Sequence, residues 1–352
     1  MSFQDGWAAL NLEMPPRVPH TEYSVTEHWG VINAVTGLEL RPDSPRALRH
    51  QGSLALMKAW DFDFRWSTLI SDGELAECST DMGHAEYAAG GVDRRDTVHC
   101  PFESPEQVLA FDPWAVYGAR DEAELIRRFE ASYRSQCEET PDMVTMTGVY
   151  ITVVSGLIAI FGWEMLLLAA GVDPKGFGEL TNRYASWIQQ YYTALGKADV
   201  PVVMVHDDIV WSSGPFISPR WYREYVFPNY KKLFSPLLES GKKVMYTSDG
   251  DYTRFIDDIA GCGVHGFVLE PWTDMQAIAD RYGQTHAFIG NADTRILLRN
   301  NKAEIRAEVE RCMAIGKQCP GYFLAVGNHI PSNTPVDAVL YYQDVYESLS
   351  RR

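Results

Sequence analysis

Carboxylates, histidines and amides recur in this chain wherever a short run of apolar residues ends. His206, Asp207 and Asp208 follow the run at 202–205, and Ser248 and Asp249 follow the run at 243–246. Further polar residues in the same position are Glu270, Asn291, Asp293, Asn328 and His329. Carboxylates crowded together repel one another, so they need a divalent cation, a shared proton or a ligand rich in hydrogen-bond donors. The residue types therefore predict a metal site or an acid–base site.

The elements that would bring these residues together are parallel strands alternating with helices. Runs near residues 62, 145, 203, 244, 267, 288 and 324 predict seven strands, and we expect an eighth within the first 120 residues. This alternation is typical of a (β/α)8 barrel, in which the residues after each strand converge on one mouth. No G-x-G-x-x-G turn supports an open doubly wound sheet. We therefore expect the α/β class and one (β/α)8 TIM-barrel domain over residues 1–352, with an N-terminal extension at about 1–45 and an insertion at about 71–118.

Two sets of candidate residues come from the predicted mouth. His206, Asp208 and Tyr246 are candidates for proton transfer, because each carries a titratable group at the end of a strand. Aromatic side chains near the strand ends would suit a planar or hydrophobic substrate. The candidates for substrate contact are Tyr150, Trp211, Trp272 and Asn291. Both sets also have a structural interpretation, since polar residues at strand ends cap helices and aromatic residues pack between barrel and helices.

Composition excludes several classes of partner. The formal net charge of −16 argues against nucleic acid and anionic membranes, which both require basic surface. No uninterrupted run of about 18 apolar residues predicts a membrane span, and the first residues do not resemble a signal peptide. The six cysteines form no C-x-x-C pair and are expected to be reduced. These features predict a cytoplasmic protein.

Several stretches of the sequence resemble the uroporphyrinogen decarboxylase superfamily. They are SGPFISPRWYREYVFPNYKKL at 213–233, GNAD at 290–293, GNHIPSNTPVDAV at 327–339 and, near the start, PRVP at 16–19. The resemblance covers nearly the whole chain and is clearest from about residue 200 to 345. It implies a (β/α)8 barrel, in agreement with the strand count.

This superfamily contains porphyrinogen decarboxylases and also methyltransferases that work with corrinoid proteins. The resemblance implies that the decarboxylases bind a substrate with eight carboxylates through an arginine-containing loop near the N-terminus. The corresponding residues here, 19–29, read PHTEYSVTEHW and contain no arginine. Their catalytic aspartate corresponds by resemblance to Asp63, and their active-site tyrosine would fall near Gly156 and is missing. The chain thus looks more like the methyltransferases.

The methyltransferases bind zinc through a His-x-Cys pair and a later cysteine, and the zinc lowers the pKa of a thiol. In this chain the pair corresponds to Tyr246 and Ser248, and the later cysteine to the neighbourhood of His329. Glu270 lies 22 residues after Ser248, where the related methionine synthase pattern has a zinc-binding glutamate. The cysteine ligands of the methyltransferase pattern are therefore missing from these positions. A harder site is expected, which would hold zinc or another divalent metal through Glu270, His329 and Asp249, with His206 as a further candidate ligand.

Three functions follow from the resemblance. The first is a methyltransferase that moves a methyl group from a small methylated compound, of methoxy or methylamine type, to a corrinoid carried by a partner protein. The second is a decarboxylase, a carboxy-lyase that acts on a smaller substrate without metal, with Asp63 stabilising a cationic intermediate. The third is a non-catalytic protein that binds a corrinoid or another ligand. The resemblance also implies a homodimer.

Overall fold

The computed structural model describes residues 2–75, 78–81 and 99–352. Its helices are α1 (Ser2–Leu10), α2 (Trp29–Thr36), α3 (Arg46–Ala59), α4 (Pro105–Ala110), α5 (Pro113–Tyr117), α6 (Glu122–Glu139), α7 (Val154–Val172), α8 (Pro174–Lys197), α9 (Pro219–Tyr225), α10 (Phe227–Glu239), α11 (Ile256–Ala260), α12 (Met275–Tyr282), α13 (Thr294–Leu298), α14 (Lys302–Gly316) and α15 (Val336–Leu349). Its strands are β1 (Phe64–Arg65), β2 (Val144–Thr145), β3 (Thr147–Val149), β4 (Val202–His206), β5 (Val210–Trp211), β6 (Gly214–Pro215), β7 (Lys243–Thr247), β8 (Gly266–Val268), β9 (Ala287–Ile289) and β10 (Tyr322–Phe323). Short 3₁₀ helices lie at Val25–Glu27, Asp72–Leu75 and Thr253–Phe255.

The parallel strands form the wall of a barrel. One sheet has the order β10-β9-β8-β7-β4-β3, and β1 pairs in parallel with β2, which continues into β3 after a single residue. The hairpin β5–β6 is antiparallel and belongs to the loop after β4. The fold is thus the expected (β/α)8 barrel, with shorter strands than the apolar runs suggested.

The eighth strand position is filled by residues 18–21. The backbone of His20 forms a parallel bridge with Leu324, beyond β10, and the Leu324 N–H donates to the Pro19 carbonyl. On the other side, the Asp63 N–H donates to the His20 carbonyl, next to β1. Part of the predicted N-terminal extension is therefore barrel wall. A periodicity search misses it because one short bridge replaces a regular strand.

Side chains alternate between two cores because successive strand residues point to opposite faces. The barrel interior is filled by Phe64, Met146, Met204, Met245 and Phe323 together with smaller residues. The opposite faces of the strands pack against the surrounding helices in a second and larger core. A strand residue therefore reaches the mouth only from the inward register.

Helix α7 is long and apolar enough to cross a membrane by composition. Most of this segment is buried within the protein, where it packs against α4 and α8. Gly162 interrupts the helix with φ +68°, a conformation that suits glycine. These are the properties of a core helix.

The predicted insertion at 71–118 falls partly on residues 76–77 and 82–98, which lie outside the described residues. Its described part contains a 3₁₀ turn and the helices α4 and α5, which pack on α7 and α8. The division of the chain into barrel and insertion stays a prediction.

Arg17 connects both ends of the chain at the amino-terminal end of the barrel. Its guanidinium forms a bidentate pair with Asp63, at 2.6 and 2.9 Å, and contacts Asp5 at 2.9 Å. It also donates to the Tyr346 hydroxyl on α15 at 2.8 Å. The Asp63 side chain is fully buried and that of Arg17 is 19% exposed. A buried carboxylate needs such a partner.

We predict that Arg17→Ala lowers the free energy of unfolding by about 3–5 kcal/mol, because it leaves the Asp63 carboxylate buried and uncompensated. Urea unfolding followed by circular dichroism measures the loss. Arg127→Ala is the control, since it removes an exposed pair with Glu124 and should change stability by less than about 1 kcal/mol. Equal losses in the two variants would contradict the structural role of Arg17.

Candidate active site

A cavity of about 480 Å³ opens at the carboxyl ends of the strands. This size lies within the range usual for small-molecule sites. Its lining residues are Tyr23, Glu27, Trp66, Ser67, Thr68, Met146, Tyr150, Met204, His206, Thr247, Ser248, Asp249, Val268, Leu269, Glu270, Gly327, Asn328 and His329. Among these described lining residues there is no lysine or arginine. The cavity is therefore lined by acidic, aromatic and neutral polar groups.

His206 lies at the end of β4 with its ring buried against Tyr150. The two rings stack at 3.7 Å with an angle of 9° between their planes. Nδ1 is 3.1 Å from the Tyr150 carbonyl oxygen, to which it donates in the neutral tautomer. Nε2 is 3.3 Å from Oδ1 of Asp208. The backbone thus orients the ring and leaves Nε2 to face the acidic residues.

Asp208 and Asp249 complete a compact group with His206. One ligand atom from each of these three residues lies within 4.8 Å of the others. The Asp249 N–H donates to Oδ1 of Asp208 at 2.9 Å, which ties the loop after β7 to the loop after β4. The Asp208 N–H donates to the Ser155 hydroxyl at 2.7 Å. Backbone hydrogen bonds therefore hold the two carboxylates close together.

Glu270 extends this acidic group from the loop after β8. One carboxylate oxygen accepts from the Gly250 N–H at 2.5 Å, and the other accepts from the Asn328 side chain. Gly250 has φ +83°, and a Cβ there would lie 2.7 Å from the Trp211 backbone, so glycine is required. Glu270 thus connects three strand ends around the cavity.

The site carries more negative charge than its surroundings neutralise. Burial raises the pKa of Asp249 well above its usual value, and the neighbouring Asp208 and Glu270 add to the shift. Burial also raises the pKa of Glu270, although Asn328 and Gly250 oppose this. Burial alone would lower the pKa of His206, but Asp208 and Asp249 raise it to about 9. All three pKa values are higher than usual, so each of these groups favours binding a proton or lying next to another positive charge.

The donor set fits a divalent cation. Metal-ligating histidines usually donate their second ring N–H to a backbone carbonyl or carboxylate, as Nδ1 of His206 can do to Tyr150. One imidazole with carboxylate oxygens suits zinc, manganese or similar ions, and no thiolate lies among the lining residues. His206, Asp208 and Asp249 are the residues that would hold the ion, with Glu270 beside them.

The structure brings part of the predicted residues to the cavity. Tyr150, His206, Asp249, Glu270 and His329 line it. Asp208 contacts His206 directly. The metal ligands predicted from sequence were Asp249, Glu270 and His329, with His206 as a further candidate, whereas the compact group contains Asp249 with His206 and Asp208. Asp208 thus lies where a metal would bind, although the sequence assigned it to proton transfer.

Asp63 lies away from the cavity. The resemblance gave it a catalytic role, which requires a place at the mouth, but it directly precedes β1, at the opposite end of the barrel. Its carboxylate is occupied by Arg17 and the His20 N–H. The expected place at the mouth was wrong because the strand predicted near residue 62 begins only at Phe64, after Asp63.

Tyr246 was also predicted to lie at the mouth, and this prediction was wrong. Its ring belongs to the core between barrel and helices, whereas Met245 faces the barrel interior. Two residues separated by one position share a face of a strand, so Thr247 follows the inward register of Met245. Thr247 lines the cavity, as do Ser248 and Asp249 beyond the end of the strand. Tyr246 does not line the cavity.

The remaining predicted substrate contacts are not among the cavity-lining residues. Trp211 and Trp272 are 44% and 45% exposed. Trp211 packs with Trp163 and Phe216, and Trp272 lies under the Arg295 guanidinium. Asn291 is buried, and its side chain is held by the carbonyls of Glu270 and Thr273.

Sequence reasoning missed three prominent lining residues, Tyr23, Glu27 and Trp66. Tyr23 and Glu27 follow the irregular eighth strand, and Trp66 follows β1. Correct placement of those two strand ends would have identified them, since residues after barrel strands line the mouth.

Comparison with known proteins assigns the family. The profile of the family "Uroporphyrinogen decarboxylase (URO-D)" matches residues 132–348, more than half of the chain. The chain belongs to the uroporphyrinogen decarboxylase family. Two similar curated proteins carry the name uroporphyrinogen decarboxylase. The one from Carboxydothermus hydrogenoformans is 29% identical over 50% of this chain and 49% of its own length. The one from Thermus thermophilus is 26% identical over 49% and 48%.

The match spans about half the length of these URO-D relatives. Among solved structures, a methyltransferase from Methanosarcina mazei is similar over 99% of this chain and 98% of its own, with a TM-score of 0.66 and 17% identity. This likeness confirms the barrel fold of the URO-D family chain. Members of the family are enzymes, but the type of reaction depends on the site.

We predict that His206 titrates with a pKa of about 9 in chelator-treated protein. Since this exceeds the unfolded value of about 6.5, the charged ring stabilises the fold fully below pH about 6.5, and this stabilisation is lost as the pH rises through about 9. Asp208→Asn should lower the pKa, because it removes the nearest negative charge. Histidine NMR titration measures both values, with His265 as an internal reference whose own pKa burial lowers. A His206 pKa below 6.5 in the unsubstituted protein would contradict the prediction.

Proposed function

We propose that this chain is a methyltransferase that takes a methyl group from a small methylated compound and passes it to a corrinoid protein. The observation that carries the proposal is the convergence of Asp208, Asp249 and Glu270 with His206 at the barrel mouth. Such a site favours a cation and a neutral or cationic ligand. The similarity of the fold to the Methanosarcina methyltransferase supports the same class of reaction.

The acidic site argues against a porphyrinogen substrate with many carboxylates. A polyanion is bound by arginine and lysine, which pair with carboxylates. Among the described lining residues there is none of either type, whereas Glu27, Asp249 and Glu270 line the cavity and Asp208 contacts the lining residue His206. The relatives named uroporphyrinogen decarboxylase therefore share the family with this chain, and we infer a different substrate here.

Each polar residue has a distinct task in the proposed reaction. His206, Asp208 and Asp249 would hold a divalent cation, most simply zinc, which when bound would supply Lewis acidity at the substrate oxygen or nitrogen. The methyl group leaves as a formal cation: its bond to the heteroatom breaks, and the reduced corrinoid of the partner protein supplies the electron pair of the new bond. A neutral heteroatom keeps the old electron pair and takes up one proton. Glu270, whose pKa burial raises, is the carboxyl group placed to hold that proton. Tyr150 fixes the ring of His206.

We expect the untagged protein to be purified with about one divalent metal ion per chain. Asp249→Asn and Asp208→Asn should weaken metal binding at least about tenfold, because each removes a charged ligand. Mass spectrometric metal analysis and competition with a chelator measure the effect. The matched control is Asp251→Asn, two residues further along. The Asp251 carboxylate accepts from the Thr253 N–H and does not line the cavity. Retention of metal in all three variants would contradict the proposed ligands.

Methyl transfer is tested with reduced cobalamin as the acceptor and methoxylated or methylated amine compounds as donors. We expect methylcobalamin to form, and Asp249→Asn to lower the rate about a hundredfold or more, since electrostatic groups in a site commonly contribute that much. Asp63→Asn should alter stability and leave the rate of the folded enzyme unchanged.

A decarboxylase would give different results in these experiments. Chelator-treated protein would release carbon dioxide from a carboxylated substrate and would form no methylcobalamin. Corrinoid binding without any turnover would instead favour the non-catalytic function.

A further inference from the structure

Three polar atoms at the cavity lack hydrogen-bond partners in the described part of the chain. They are the Tyr23 hydroxyl, the Trp66 indole N–H and the Thr247 hydroxyl. Each is shielded from solvent, and each belongs to a residue that lines the cavity. Buried polar groups are nearly always hydrogen-bonded, because leaving one unpaired is unfavourable. Their location together indicates that a ligand completes these bonds.

Tyr23 and Trp66 form a pair on one wall of the mouth. Their ring centroids are 4.1 Å apart, and Trp66 also packs at 5.4 Å against Phe64 below it. Tyr23 follows the strand at residues 18–21, and Trp66 follows β1, its neighbour in the barrel. Each ring thus has a face covered by the other, while its polar atom lacks a partner. This arrangement presents hydrogen-bond donors that are held rigidly.

The acidic group lies across the mouth from this pair. In the order of the barrel wall, β7 is four positions away from residues 18–21, which is the opposite side of an eight-stranded barrel. Thr247 and Asp249 come from the end of β7. A ligand in the cavity would therefore lie between the cation-binding residues and the donors of Tyr23 and Trp66.

The chemistry of the donors limits what they can bind. An indole N–H only donates, so Trp66 needs an acceptor atom on the ligand. The Tyr23 hydroxyl remains protonated, because burial and neighbouring acidic groups that include Glu22 and Asp249 raise its pKa well above the usual value. An ether, carbonyl or hydroxyl oxygen meets both donors. A methylated ammonium group has no acceptor and leaves Trp66 unpaired.

We propose that Tyr23 and Trp66 bind an oxygen atom of the substrate, so that the methyl donor is an oxygenated, methoxy-type compound rather than a methylated amine. This inference rests on the proposed function, whose two donor classes it separates. Thr247 supplies a further hydroxyl to the same ligand from the opposite wall.

Three matched probes test the inference with the metal-loaded, full-length protein. They are anisole, ethylbenzene, in which a methylene replaces the ether oxygen, and phenyltrimethylammonium, so that only anisole carries an acceptor oxygen. Calorimetric titration should show that anisole binds about three- to tenfold more tightly than ethylbenzene, as expected for one or two hydrogen bonds. The ammonium compound should bind more weakly than anisole.

Variants then assign the difference to the donors. Tyr23→Phe and Trp66→Phe should each reduce the preference for anisole over ethylbenzene and leave the affinity for ethylbenzene within about twofold, which also shows that the variant is folded. Tyr222→Phe is the control, since Tyr222 has a buried hydroxyl without a hydrogen-bond partner but does not line the cavity. It should retain the full preference.

Two results would overturn the inference. One is tighter binding of the ammonium compound, and the other is an unchanged preference in both Tyr23→Phe and Trp66→Phe. Failure of the proposed function has a separate signature. If anisole binds selectively but yields no methylcobalamin, the oxygen-binding role of the donors is supported and methyl transfer alone is rejected.

Discussion

Repulsion among carboxylates is the constraint on which the site depends. Asp208, Asp249 and Glu270 approach one another at a partly buried mouth, where like charges raise one another's pKa values. The fold holds them there with backbone donors, because the N–H groups of Asp249 and Gly250 each donate to a neighbouring carboxylate. This network orients the carboxylates without neutralising them. A cation, a proton or a donor-rich ligand is needed to relieve the remaining charge, and that need is the basis of the proposed chemistry.

The two ends of the barrel differ in how far their buried charges are paired. At the amino-terminal end, Arg17 compensates Asp63 and links α1, β1 and α15, so the charges there are paired and contribute to stability. At the carboxyl end, carboxylates gather without a lysine or arginine among the described lining residues, and three polar atoms of the lining lack partners. Barrel enzymes commonly separate stability and activity in this way, since their loops after the strands form the site. The carboxyl end is therefore the one at which we propose that a ligand binds.

Membership of the uroporphyrinogen decarboxylase family determines the barrel and leaves the reaction open. A fold carries many chemistries, and the groups at the strand ends decide among them. Here the strand ends provide imidazole and carboxylate oxygens. The described residues that line the cavity include no arginine for a polycarboxylate. The acidic mouth and the Tyr23–Trp66 pair are the features of this chain on which the proposed reaction and substrate rest.

The sequence by itself determined the alternation of strands and helices, the family and most of the acidic residues of the mouth. These follow from local patterns, because apolar runs that end in polar residues are visible along the chain. Only the tertiary structure decided the register that turns Tyr246 away and brings Thr247 and Asp249 inward, since one residue of shift exchanges the two faces of a strand. It also decided the position of Asp63 and the convergence of Tyr23 with Trp66. Both depend on closure of the barrel by residues 18–21, which are joined to Leu324 more than 300 residues later, and no local pattern records a contact over that separation.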